Sequence, residues 1–171
     1  DATFERYWQN FEKRKIAAPQ DAVYTPYEIR HVGSFVRLGW KKRAHALLAF
    51  FLADRSPLAW HQWPEVVSHE ARARFVGDLP HGWVGSDFIR SALDLFAYED
   101  RAARALVLAA GFDPAWLDGQ RGRRGVAIHH LATPWGPLGY RVRRVDQTVR
   151  FDFDRGLAAQ QQASPWRSEA T

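Results

Sequence analysis

A chain of 171 residues that is 46% hydrophobic and holds 8 Trp and 11 Phe is long enough to bury a sizeable core and too aromatic for a disordered or fibrous protein. With no Cys it can form neither disulfides nor thiolate sites, and no apolar run approaches the roughly 18 residues that suggest a membrane span, so no membrane partner is expected. The net charge of +5 comes mostly from arginines spread along the chain; their one tight cluster is Arg121, Arg123 and Arg124, and a nucleic-acid partner is not expected either. Met is absent and the first residue is Asp1, from which the chain is expected to be part of a longer polypeptide.

In chain order, Phe4, Tyr7, Trp8 and Phe11 recur at helical spacing with charges between them, predicting a helix from Phe4 to Lys15. The segment Asp21 to Pro26 breaks it. A second helix is expected from about Pro26 to Leu38, where proline suits the first turn and Ile29, Val32, Phe35 and Val36 make an apolar stripe. Gly39 ends it. A third, from about Trp40 to Ala53, carries Trp40, Ala44, Leu47, Leu48 and Phe51 on one face, and so short a link makes the two an αα-hairpin. From Asp54 to Leu79 the chain reads as a long irregular connection, a kind of loop that in compact domains is usually functional or disordered, and its aromatics and valines argue against disorder. The fourth helix, about Pro80 to Tyr98, is apolar around most of its circumference through Phe88, Ile89, Leu93, Leu95 and Phe96, as in a helix buried between neighbours. Its polar line is Asp87, Arg90/Ser91 and Asp94.

After Glu99 the period becomes strand-like. Ala105–Ala109 is a short apolar run, Val126–Leu131, Leu138–Val145 and Thr148–Phe153 are expected strands, and Asp146-Gln147 is a tight reversal between the last two. The end, with Gln160, Gln161 and Gln162, has the composition of a frayed tail. Helices first and strands afterwards predict an α+β chain in three parts: residues 1–99, residues 100–155 and a tail over 156–171.

Chemistry-bearing residues concentrate between the third and fourth helices. Trp60, Trp63 and Trp83 are flat apolar plates suited to the faces of a pyranose ring, while His61, Glu65, Asp78, His81 and Asp87 can hydrogen-bond hydroxyls or move protons. Each also has a plain structural use, the tryptophans in packing, Glu65 and Asp78 as rim or helix-start acids. No metal set is expected, because His129 and His130 are neighbours on a strand and would face opposite ways, and His69-Glu70 lacks a second His. There is no Gly-rich phosphate loop, Gly-x-Ser-x-Gly elbow or Cys nucleophile, so nucleotide and acyl-transfer chemistry have no foothold, and no cofactor is expected. Carboxylate chemistry remains. Cleavage of a glycosidic bond generally takes two carboxyl groups, and Glu65, flanked by Trp63 and Pro64, is the leading candidate for one of them, with Asp78 and His81 beside it.

The order of an αα-hairpin, Trp60-x-x-Trp63 with a carboxylate, Pro80-His81-Gly82-Trp83 entering a buried helix, and a β-rich part with Thr133-Pro134-Trp135-Gly136-Pro137-Leu138 resembles the C-terminal end of six-hairpin (α/α)6 glycosidases. It is most similar to the bacterial alpha-L-rhamnosidase-like group and to its large relatives with discoidin-type carbohydrate-binding modules. The likeness spans about Phe4 to Phe153. It implies that the helices are the last hairpins of an (α/α)6 barrel, that the strands form a partial antiparallel β-sandwich segment, and that the upstream part of the same polypeptide is a partner. It also implies a glycoside hydrolase whose general base directly follows the first Trp. That position is His61 here, so Glu65 would have to substitute for it, and the general acid would lie upstream, leaving the chain alone inactive. The alternative is a non-catalytic carbohydrate-binding or scaffold domain. On either reading Trp60, Trp63, Glu65, Asp78, His81 and Trp83 are expected to converge on one concave surface.

Overall fold

In the first helix, α1 (Ala2–Ile16), the aromatic residues at helical spacing meet partners on later elements: Phe4 and Trp8 stand edge-on to Phe35, and Phe11 meets Phe50. Lys13, Arg14 and Lys15 occupy its last turn, where cations complement the helix dipole. The computed structural model describes residues 1–16, 23–55, 57–68, 77–118 and 125–154. The chain divides into two compact units, Asp1–Phe112 and Asp113–Thr171, and the fold is mixed helix and small antiparallel sheets.

The second helix begins differently from its expected form. Thr25 caps a 3-10 turn at Pro26–Ile29, its hydroxyl accepting from the Tyr27 N–H, and only then does α2 (Arg30–Arg37) run as an α-helix. Gly39, at φ 77, allows the reversal into α3 (Lys41–Ala53). The connection after α3 is less irregular than its sequence suggests. It contains a 3-10 turn at Leu58–Trp60, and β2 (Val67–Ser68) pairs antiparallel with β1 (Val23–Tyr24). A two-residue strand is too short to display an alternating period, which is why pattern reading passes over it. His69 and Glu70 lie outside the described residues.

The fourth helix, α4 (Gly82–Phe96), is shorter than expected at both ends. At its start the His81 N–H bonds the Trp63 carbonyl, and at its end Ala97–Asp100 leaves the helix as β3 to pair with β4 (Ala105–Leu108). Its burial corrects the expectation drawn from its apolar circumference. Ile89 and Leu93 are exposed, whereas the polar-line residues Ser91 and Asp94 are only 3% and 8% exposed. The polar line turns inward because α2 meets it with matching groups. Arg37 clasps Asp94 through Nε and Nη2, both at 3.0 Å, and stacks on Tyr98. A buried carboxylate needs such a partner, since an unpaired one would lose its hydration without replacement. Gly33 supplies the room for this approach.

In the second unit Asp113 caps α5 (Pro114–Leu117) by accepting from the Ala115 N–H. The sheet is β5 (Val126–Thr133), β6 (Gly136–Val145) and β7 (Thr148–Phe153), antiparallel with β6 central. Leu138, Tyr140 and Val142 alternate into its buried face, and Tyr140 packs against Phe151 and Phe153. Asp146, at φ 53, closes the expected reversal. The β5–β6 turn runs through Pro134-Trp135, with Gly136 at φ 104 and the Thr133 hydroxyl donating to the Gly136 carbonyl. Strict alternation fails in β5, where the register shifts between Ile128 and Leu131 and His130 sits at φ 56. His129 pairs with Asp154. Arg121, Arg123, Arg124 and the tail lie outside the described residues.

Two consequences can be measured. A Cβ on Gly33 would stand 2.7 Å from Asp94 Oδ2, an atom that Arg37 holds in place. Gly33→Ala is therefore expected to lower stability by about 1–3 kcal/mol in urea unfolding, against the gain of roughly 1 kcal/mol that alanine brings to an exposed helix. His31, stacked on Tyr7 at 4.0 Å, has its pKa held below 6.5, chiefly by burial. The fold then favours the neutral ring, so its contribution is complete above the unfolded value and is lost as pH falls through the lowered one. Unfolding midpoints should drop below about pH 6.5, and His31→Phe should flatten that part of the profile.

Candidate functional site

Tyr27, Glu65, Asp78 and His81 come together through a frame made of main-chain bonds. The Trp63 ring is buried, packed against Phe88 at 5.0 Å, and its indole N–H donates to the Phe51 carbonyl at 2.8 Å, which fixes the loop to the end of α3. The Trp63 carbonyl accepts the His81 N–H at 3.0 Å, and the Glu65 N–H donates to the Asp78 carbonyl at 3.3 Å. The Thr25 hydroxyl donates to the Glu65 carbonyl at 2.9 Å, bringing in the segment that carries Tyr27. Residues 63–65 and 78–81 thus lie side by side. Gly77 sits at φ 87 under the Glu65 side chain, and a Cβ there would come within 3.0 Å of Glu65 Cβ and overlap its carboxylate.

The side chains form a directed chain of hydrogen bonds. His81 Nδ1 is 2.7 Å from Asp78 Oδ1, and Nε2 is 2.5 Å from the Tyr27 hydroxyl. An ionised carboxylate only accepts, so Nδ1 carries the proton; in the neutral ring Nε2 is then the acceptor of the Tyr27 O–H. Burial, and then the negative charge of Glu65, raise the Tyr27 pKa above its ordinary value, while Arg30, 5.0 Å over the ring, pulls the other way. The phenol therefore stays protonated at neutral pH and can serve as a donor. The His81 side chain is 11% exposed and that of Asp78 is 65% exposed, so the chain runs from a covered ring out to solvent.

Glu65, Asp78 and His81 each offer a ligand atom, and all three atoms lie within 4.8 Å of one another. Two carboxylates and an imidazole suit a divalent cation in donor type. Both His81 nitrogens already make hydrogen bonds, so ligation would exchange one of them, to Asp78 or to Tyr27. The expectation of no metal set rested on histidine pairs along the chain, and this mixed set draws on none of them.

The remaining expected residues scatter. Trp83 is 73% exposed, with its ring 5.9 Å from that of His81 and 6.5 Å from that of Tyr27. Trp63 lies in the core, so its indole faces protein and offers no open plate; only its main chain serves the site. Trp60 is exposed on its 3-10 turn, and His61 follows at φ 54 with Nδ1 against the Arg55 guanidinium. Neither Trp60 nor His61 hydrogen-bonds or stacks with the cluster among the described residues. Asp87 is taken up by an ion pair with Arg30 at 2.6 Å, tying α4 to the start of α2. Sequence reading missed Tyr27 and Arg30, whose only signal was the Thr25-Pro26 helix start.

Comparison of the chain with protein-family models, curated proteins and solved structures finds no match.

Gly77→Ala tests the frame. Both the positive φ and the overlap with the Glu65 carboxylate oppose a side chain, and strain of this kind is expected to cost about 1–3 kcal/mol. Chemical unfolding would report it, and chemical-shift changes should concentrate on Glu65 and Asp78 rather than spread through α2 and α3.

Proposed function

We propose that the surface around Trp83 and the Tyr27–His81–Asp78–Glu65 cluster binds carbohydrate, as the C-terminal end of a six-hairpin (α/α)6 glycosidase-like protein. The observation that carries this reading is Trp83: a large aromatic face open to solvent directly beside a fixed array of hydrogen-bonding groups. Such a pairing fits a sugar, whose ring faces are apolar and whose edges carry hydroxyls. The exposed Ile89 and Leu93 on α4 support a barrel in which further helices cover that face, and the three-stranded sheet fits the start of the sandwich segment.

Hydrolysis makes a stricter demand than binding. The two carboxyl groups must flank the scissile bond, about 5–10 Å apart. Asp78 stands beside Glu65, joined to it through the main chain, and one of its oxygens faces His81. The two therefore approach a sugar from one side. In this reading Glu65 is the base, His81 and Tyr27 position hydroxyls, and the general acid belongs to the upstream part of the polypeptide.

Titration with neutral oligosaccharides, followed by tryptophan fluorescence, tests the binding. Trp83→Ala should weaken it about tenfold or more, the loss expected for an aromatic contact, whereas Glu65→Gln should leave it within about threefold. Equal affinity for the Trp83 variant would sink the proposal. The chain alone should release no product from aryl glycosides; in a protein that includes the upstream hairpins, Glu65→Gln should reduce kcat by about a hundredfold or more.

A further inference from the structure

The polar line of α4 does more than pair with α2: Ser91 and Asp94 are buried, while Arg90 is exposed. Between the two helices lies a cleft of about 160 Å³ lined by Arg30, Ser34, Arg37, Arg90, Ser91 and Asp94. Positions 30, 34 and 37 share one stripe of α2, and positions 90, 91 and 94 share the facing stripe of α4. Asp94 neutralises Arg37 and Asp87 neutralises Arg30, so the net positive charge of the lining rests on Arg90. Asp94 is already satisfied, since it gives both oxygens to Arg37. Arg30 uses Nε on the Tyr27 carbonyl and Nη2 on Asp87, which leaves Nη1. Arg90 has no ion pair or hydrogen bond among the described residues, and its guanidinium is a planar fork of N–H donors. Ser91 adds an independent observation. It is 3% exposed, its hydroxyl has no hydrogen-bond partner among the described residues, and it lines the cleft. The hydroxyl is not sealed off, since among the described residues the fully buried side-chain atom without a partner is Arg14 Nε; it reaches the cleft and can be served by what enters.

We infer that this cleft binds a single small oxyanion group, a carboxylate, sulfate or phosphate, held by Arg90, Arg30 Nη1 and the hydroxyl of Ser91. The charged groups decide the chemistry: Asp94 and the Ser34 hydroxyl proton are already engaged, and the guanidinium N–H groups of Arg90 and Arg30 only donate, so an anion is favoured over a cation. The volume admits one such group and excludes a nucleotide base or a sugar ring. The inference stands apart from the saccharide reading, because no residue of the cleft belongs to the Tyr27–His81–Asp78–Glu65 cluster.

The test uses the whole chain at low ionic strength, titrated with sulfate, phosphate and glucuronate in turn, with chloride as the control anion and NMR of arginine side chains as the readout. Binding is expected to shift the Arg90 Nε–H resonance. Arg90→Ala should weaken it about tenfold or more, the loss of a charge-assisted hydrogen-bonding group, with partial rescue by Arg90→Lys, and Ser91→Ala should weaken it about threefold. Trp83→Ala should leave it unchanged, which separates this site from the saccharide surface. Binding of glucuronate through Arg90 would identify the group as the carboxylate of an acidic sugar; binding of sulfate and phosphate alone would identify an inorganic or ester anion. Displacement by chloride at equal concentration, or Arg90→Ala and Ser91→Ala variants that melt and bind like the parent, would overturn the inference and mark an adventitious ion only.

Discussion

The seating of Trp63 is the constraint on which the rest depends. One residue makes three connections: its ring fills the core under Phe88, its indole N–H holds the end of α3, and its carbonyl receives the first residue before α4. Removing a large aromatic from such a position typically costs about 3–5 kcal/mol. Here the damage would not stay local, because the loop and the start of α4 share that anchor. The positions of Glu65 and His81 relative to each other follow from it, and the Tyr27 hydroxyl reaches His81 only because Thr25 is tied to the same strip of main chain.

The α2–α4 seam works by the opposite principle. Packed helices usually meet through apolar ridges, yet here the contact centres on Arg37, Asp94 and the bare main chain at Gly33. Fully paired, such a seam fixes one register, since sliding either helix by a turn would strand both charges. The same arrangement explains why α4 shows apolar side chains to the outside. Within the described residues its buried stripe is Val84, Ser91, Asp94 and Leu95, and Ile89 and Leu93 lie off that stripe.

Much of this was legible in the sequence where a period repeats often enough to be read. The helices α1 and α3 follow their apolar spacing, and Thr148–Phe153 is the strand β7 as the alternation of Val149, Phe151 and Phe153 suggests. Legibility failed where a partner distant in sequence decides the outcome. The inward turn of Asp94 depends on Arg37, 57 residues away, and β2 exists only through β1. In the cluster, Glu65, Asp78 and His81 were recognisable as a concentration of acids and imidazole near tryptophans. Tyr27 was not, since nothing in a Thr-Pro-Tyr helix start signals a phenol aimed at an imidazole 54 residues on. Trp63 shows the limit from the other side: composition reveals that a tryptophan is present, and only packing decides whether its face or its main chain is used.

The two bonds that align residues 63–65 with 78–81 run between main-chain atoms, and every amino acid other than proline carries those atoms. Side chains at 65, 78 and 81 can therefore be exchanged while the strips that bear them keep their alignment. Gly77 is the exception, because its backbone angle admits few replacements. Such a platform separates heredity of shape from heredity of chemistry. Descendants of this chain could change what the surface recognises in single steps, each passing through a folded protein, while the glycine and the buried tryptophan stay fixed.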